Sequence, residues 1–225
     1  MDLVSRRVER KYRLPDATAE QWRARLARTG LRVEQARITT VYLDRHDGLL
    51  TRAAAVDPGG CVKLRLRTYE GPVADVVWAE LKERRGAVST KVRFPIPAAR
   101  VPAFLDGAEA GPVDRLRLFR AAAAGPLRPV GAVRCTRLAV EGGEPRARLT
   151  VDLGVTYHPG TTLEPGLPAG REPGVVVEVK SAGAVPAWCR ALLDGREACE
   201  LSKFAALVHL RPPPLTKAPL NFVNG

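Results

Sequence analysis

The chain has 225 residues, enough to bury a core as one large domain or two small ones. Its formal net charge is +12 and only 5% of its residues are aromatic, which points to an anionic partner but away from a base-stacking platform for single-stranded nucleic acid. The four scattered cysteines form no CxxC pair, the charged start Met1–Arg13 has no apolar core, and no run of about 18 apolar residues occurs, so a disulfide framework, a zinc site, a signal peptide and a membrane span are not expected and a soluble cytoplasmic protein is.

Arg7 to Arg13 predicts a strand that Pro15 ends, with Arg7, Glu9, Lys11 and Arg13 on one face. Asp16 then reads as an N-cap, Trp22 and Leu26 as the apolar stripe of a helix, and Gly30 as its end. The β-branched and aromatic run Ile38–Asp44 predicts a second strand, and Asp57-Pro58-Gly59-Gly60 a turn. Lys63-Leu64-Arg65-Leu66-Arg67 follows, charged on one strand face and apolar on the other. Cations about 7 Å apart repel by roughly 2 kcal/mol per neighbouring pair at an effective dielectric near 20. A row of one sign therefore points to a polyanion.

After Gly71-Pro72, Val76–Lys82 puts Trp78, Glu80 and Lys82 on one face, and after a turn at Gly86, Thr90–Phe94 puts Lys91 and Arg93 on one face. Residues 98–124 predict two helical pieces divided near Gly111-Pro112, with Leu116 and Phe119 buried. Val133–Leu138 is a strand carrying Arg134, and Arg146–Asp152 another carrying Arg148, Thr150 and Asp152. The proline- and glycine-rich segment from His158 to Gly174 reads as a loop or flap. Val175–Lys180 sets Glu178 and Lys180 among valines, where an unpaired carboxylate is costly. A helix with Trp188, Leu192 and Leu193 ends at Gly195, and a last helix starts at Glu200, with Ser202 available as a cap that aims Lys203 at a phosphate. The segment 211–225 reads as a disordered proline-rich tail.

Eight strands with polar, mainly basic faces predict an α+β fold: a closed eight-stranded antiparallel β-barrel with helices packed outside. The polar face would line a tunnel that holds a hydrated anion chain, for which arginine forks and lysine point charges are suited. Residues 1–210 form the expected domain. The basic residues lie on strand faces, and no helix-turn-helix, RRM signature or zinc finger is present, so nucleic acid is not the expected partner.

Glu9-x-Lys11, Lys63-x-Arg65-x-Arg67, Glu80-x-Lys82, Arg148-x-Thr150-x-Asp152, Glu178-x-Lys180 and Ser202-Lys203-Phe204 together resemble the triphosphate tunnel metalloenzymes, a CYTH-like superfamily, and within it the VTC domain of the polyphosphate polymerases. The resemblance spans roughly residues 4–210. It implies a triphosphate tunnel, divalent Mn²⁺ or Mg²⁺, and an ATP-dependent transferase that extends polyphosphate with the γ-phosphoryl group. Where the triphosphatase and cyclase branches open on Glu-x-Glu-x-Lys, this chain has Arg7, which favours holding a long polyanion over two-metal hydrolysis.

The residues expected to carry the chemistry are Lys203, Arg65, Arg67 and Lys82. Those expected to bind phosphate are Lys11, Lys63, Lys91, Arg134, Arg148, Lys180 and Ser202. Glu178, Glu9 and Asp152 are the expected metal ligands, with Glu80 orienting the cations. A tripolyphosphatase or nucleoside triphosphatase, and a non-catalytic polyphosphate sensor, stay open beside the polymerase. The oligomeric state is not legible.

Overall fold

Alternating polar and apolar residues become strands here, and the apolar side of each strand decides which helix covers it. The computed structural model describes residues 4–5, 8–57, 60–70, 76–85, 88–108 and 112–210. Arg7, Pro58-Gly59, Gly71-Pro72, Gly86, Gly111 and segment 211–225 lie outside the described residues. In chain order the elements are β1 (Val4–Ser5), β2 (Val8–Leu14), α1 (Ala19–Ala27), β3 (Glu34–Arg45), α2 (Leu49–Val56), β4 (Lys63–Tyr69), β5 (Val76–Arg85) and β6 (Val88–Pro97). A 3₁₀ turn (Ala98–Arg100), α3 (Val101–Leu105), α4 (Val113–Ala123), β7 (Leu127–Gly142), β8 (Ala147–Pro159), β9 (Gly170–Arg171), β10 (Val175–Ser181), α5 (Ala187–Arg190) and α6 (Lys203–His209) complete them.

The strands form one antiparallel sheet in the order β1-β6-β5-β4-β3-β7-β8-β10-β2, with β9 paired to β8. The closed eight-stranded barrel expected from the sequence is corrected on two points. The sheet has ten strands, and its hydrogen-bonded ladder is open between β1 and β2 among the described residues. The first segment divides itself between the two edges: β1 pairs with β6 and β2 with β10. Ser5 and Val8 are three residues apart, so backbone reach limits that gap to about 11 Å. The sheet is nonetheless rolled. β5 and β2 are six positions apart in the order, about 29 Å in a flat sheet. Yet Lys82 Nζ on β5 lies 2.9 Å from Glu9 Oε2 on β2.

Two apolar layers cover the convex face. Leu64, Leu66, Ala79, Leu81, Val92, Phe94 and Ile96 pack under α3 and α4, where Phe94, Phe104 and Phe119 meet with ring centroids 5.4–6.1 Å apart. Tyr12, Leu138, Leu149, Val151, Val177 and Val179 pack under α1 and α5 with Trp22, Leu26 and Cys189. Helix α1 is capped by Thr18, not Asp16: the Thr18 hydroxyl accepts from Gln21 N while the Gln21 side chain accepts from Thr18 N.

The expectation that all helices lie outside also needs correction. Tyr42, Val133, Tyr157 and Val176 form a third cluster with Phe204 and Leu207 of α6 and Ala54 of α2. Tyr42 shares its strand face with Thr40, whose hydroxyl accepts from Arg67 Nε at 3.1 Å. That is the polar face, so α6 and α2 fill one end of the concave side. The reason is local: the Phe204 ring stacks on Tyr42 at 4.8 Å and 17°. Burying a phenyl ring in this way stabilises by about 2–3 kcal/mol, with stacking adding about 1 kcal/mol. Helix α6 starts at Lys203, three residues later than expected, with Ser202 as its cap.

Candidate functional site

The concave face is built by strand parity. Lys63, Arg65 and Arg67 alternate with the buried Leu64 and Leu66, and the register sets Lys63 beside Lys82 and Arg65 beside Glu80. Across β5, Glu80 is beside Arg93 and Lys82 beside Lys91. Glu80 is fully buried and is a hub of four cations. Arg65 Nε and Nη2 both lie 2.7 Å from its Oε2, Arg67 Nη1 lies 3.5 Å from the same oxygen, and Arg93 Nε and Lys91 Nζ lie 3.3 and 3.9 Å from Oε1. Burial alone raises the Glu80 carboxyl, but Arg65, Arg67, Lys91 and Arg93 outweigh it and hold the group well below the usual carboxylate range.

Opposite this hub stand β2, β8 and β10. Glu9 accepts from Lys82 Nζ at 2.9 and 3.0 Å and lies 3.5 Å from Lys11 and 3.7 Å from Lys180. Glu178 lies 2.8 Å from Lys180. Burial raises the Glu178 carboxyl, yet Lys180, Arg137, Lys11 and Lys82 together hold it well below its ordinary value. Asp152 receives a fork from Arg137 (2.6 and 2.7 Å) and a short contact from Lys203. Burial pushes its carboxyl up, and Lys203 and Arg137 overcome that and hold it low. Lys11 donates to the Leu201 carbonyl at 2.7 Å, and Ser202 Oγ accepts from Ala205 N at 3.3 Å. Thus the segment before α6 is tied to β2, and Phe204 seats the helix so that Lys203 reaches into the concave face.

Of the residues singled out in the sequence, the structure brings together Lys11, Lys63, Arg65, Arg67, Lys82, Lys91, Lys180, Lys203, Glu9, Glu178 and Asp152. Arg148 lies at the rim, paired to Glu141 at 3.0 Å. Arg134 is corrected. It shares its face with Thr136 and Leu138, stands exposed on the convex side, and lies 3.6 Å from Glu70. Its place is taken by Arg137, which sequence reading passed over. The signal was available: Leu138 and Val140 are core residues, so Arg137 belongs to the opposite face. Asp152, expected as a metal ligand, has both oxygens engaged by cations.

With Arg93 and Arg137 included, ten cations face four carboxylates among the described residues (Glu9, Glu80, Asp152 and Glu178), and every one of those carboxylates already has a cation beside it. The arrangement can neutralise a chain of phosphate oxygens that displaces or shares those ion pairs. Among the described residues, no group of three or more His, Cys, Asp or Glu side chains could hold a metal by itself. No helix of the described residues is long and apolar enough to cross a membrane.

The family model for the VTC domain matches residues 2–210. No curated protein matches the chain in sequence. Among solved structures, HpAC1 of Hippeastrum, which carries an adenylyl cyclase name and is reported with a dominant triphosphatase activity, is similar with a TM-score of 0.56 and 19% identity, covering 92% of this chain and 98% of that one. A Bacillus halodurans protein also named for adenylate cyclase is similar with a TM-score of 0.49 and 13% identity, covering 99% of this chain and 100% of that one.

Proposed function

This chain belongs to the VTC domain family, and from that premise we propose that it is a phosphotransferase that passes the γ-phosphoryl group of ATP to a polyphosphate chain held in the tunnel of the rolled sheet. The observation that carries the reading is the excess of cations over carboxylates on the concave face, with each carboxylate there already paired. Such a surface holds a polyanion without help and orients it through fixed forks.

In this reading Arg65 and Arg67, fixed by Glu80 and Thr40, hold the oxygens of the transferring phosphoryl group. Lys82 and Lys203, drawn in by Glu9 and Asp152, neutralise charge as that group moves between in-line oxygens. Lys11, Lys63, Lys91 and Lys180 hold the rest of the chain, with Arg148 at the rim. Glu178, held by Lys180 through Oε1, fits a divalent ion, because Mg²⁺ is commonly held by one or two carboxylates with substrate phosphates completing the shell; Glu9, like Asp152, has both oxygens engaged by a cation and would join it only by giving up Lys82. When bound there, Mn²⁺ or Mg²⁺ supplies charge neutralisation on the phosphate oxygens. Asp152 serves better as an orienting group for Arg137 and Lys203.

A hydrolase reading has one observation in its favour: HpAC1, reported with triphosphatase activity, shares this fold. Against it stands Arg7, which replaces the first glutamate of the hydrolytic branches. The experiment is incubation of the pure protein with ATP and Mn²⁺, with products resolved by length. Chains longer than the substrate support the transferase. Orthophosphate alone supports the hydrolase. No turnover with any divalent metal leaves a polyphosphate-binding role.

A further inference from the structure

We propose that Trp78, Arg93 and Tyr69 form a stacking platform for the base of a nucleoside triphosphate at one rim of the concave face. The inference rests on the nucleotide-dependent reading above and deepens it by assigning the part of the substrate that the cations do not recognise.

Three observations carry it. Trp78 shares the face of Glu80, and Tyr69 the face of Arg67, so both rings are on the concave side. Both sit at the end of the β4–β5 ladder, whose last pair is Arg67 with Trp78, and both are only partly buried, unlike the core aromatics Phe94, Phe104 and Phe119. Finally, Arg93 joins them: its guanidinium lies 4.0 Å from the Trp78 ring centroid and 5.3 Å from that of Tyr69, with its side chain 31% exposed. Arg115 donates to the Arg93 carbonyl at 2.7 Å and steadies that stretch of β6.

This is the chemistry that takes a heteroaromatic base. Bases stack on aromatic rings and on guanidinium planes alike, and every base has a π-face, so the platform is tolerant of base identity. Position supplies the rest. Trp78 and Glu80 are two residues apart on one strand face, about 7 Å. Arg93 Nε also faces Glu80 Oε1 at 3.3 Å, so the platform is continuous with the hub that holds Arg65 and Arg67. A base resting on Trp78 and Arg93 therefore directs its triphosphate inward along the cations. An inorganic polyphosphate has no base and does not use the platform.

The test compares two probes, ATP and inorganic tripolyphosphate, by calorimetry in low salt on the wild-type protein, Trp78→Ala and Trp78→Phe. Base stacking on one aromatic side chain implies a loss of about tenfold or more. Trp78→Ala should weaken ATP by that factor and leave tripolyphosphate unchanged. Trp78→Phe keeps a ring and should recover most of the ATP affinity, and GTP should follow ATP in all three proteins. Equal loss of both probes in Trp78→Ala, or no loss of ATP, overturns the platform while the tunnel reading stands. Tripolyphosphate binding without ATP binding in the wild type also overturns it. Binding of neither probe by the wild type overturns the platform and the proposed function together. Tyr69→Ala, which leaves the Trp78–Arg93 contact in place, is the second variant should Trp78→Ala not fold, with the same selective loss of ATP expected.

Discussion

Glu80→Gln keeps the shape of the hub and removes its charge. In the native protein the carboxylate has cations at 2.7, 3.3, 3.5 and 3.9 Å, and none of its surface is exposed. At an effective dielectric near 20 each contact is worth about 4–6 kcal/mol of gross attraction. Desolvation and the mutual repulsion of four cations offset most of that. Removing one partner from a buried ion network costs about 3–5 kcal/mol net. For a domain of this size each kcal/mol moves the melting temperature by about 2–4 °C, so Glu80→Gln should melt roughly 6–20 °C lower at neutral pH. The deficit should narrow in acid. The Glu80 pKa is depressed in the fold. Its contribution is therefore fully present above the unfolded carboxylate value of about 4.3 and lost as pH falls toward the folded one. Tripolyphosphate, which replaces the missing negative charge, should raise the melting temperature of Glu80→Gln by more than that of the wild type. Melting scans with and without tripolyphosphate, between neutral pH and about pH 3, read all three effects. A variant that melts within about 2 °C of wild type at neutral pH and gains no more from tripolyphosphate would refute the hub.

Three further outcomes are expected. In the wild type, tripolyphosphate should raise the melting temperature in low salt, by linkage, and the gain should shrink in high salt; no shift at millimolar ligand would count against the tunnel. Arg137→Ala should lower polyphosphate affinity about tenfold or more, since it removes a charged partner facing the concave side, whereas Arg134→Ala on the convex side should leave it within about twofold; calorimetry that reverses this order would restore the original strand reading. Glu178→Gln should abolish metal-dependent ATP turnover while leaving metal-free polyphosphate affinity equal or slightly higher, and unchanged metal dependence in a Mn²⁺ titration would move the ligand role to Glu9.

Strand parity was legible wherever one face was unambiguously apolar. Lys63 to Arg67 alternates without a break, and every side chain landed on its expected face. The same rule failed at Arg134 because Val133-Arg134-Cys135-Thr136-Arg137 offers a basic residue on each face, and only Leu138 and Val140, after that run, break the tie. On β8 the alternation slips. Asp152 and Val155 face the same side, although they are three positions apart, because Gly154 sits at φ +55° in a bulge. On the concave face the helix Leu49–Val56 and the inward placement of α6 were hidden for a different reason. Leu49–Val56 has Gly48 at its N-cap position, and its first amides are met by Asp44 and Asp47 from further upstream, while Phe204 looks like any core aromatic until Tyr42 is seen beneath it. Closure was expected, and the opening of the ladder between β1 and β2 was not legible, because their pairing to opposite edges depends on partners far along the chain.

That division of the first segment also sets a schedule for folding. Val8 pairs with Ser181 and Leu14 with Val175, so β2 has no partner until nearly the whole chain is present. At synthesis rates of about 5–20 residues per second, β2 waits on the order of ten seconds or more before β10 emerges. The intervening strands form their ladders with nearer neighbours first, as in β5 with β6 and β7 with β8. Until then Glu9 is not held opposite Lys82 and Lys180, nor Lys11 opposite Glu178, and Lys82 lacks the carboxylate that balances it in the finished sheet. A soluble polyanion present during that interval would act as a template, holding the two halves of the sheet around itself before the last strand arrives.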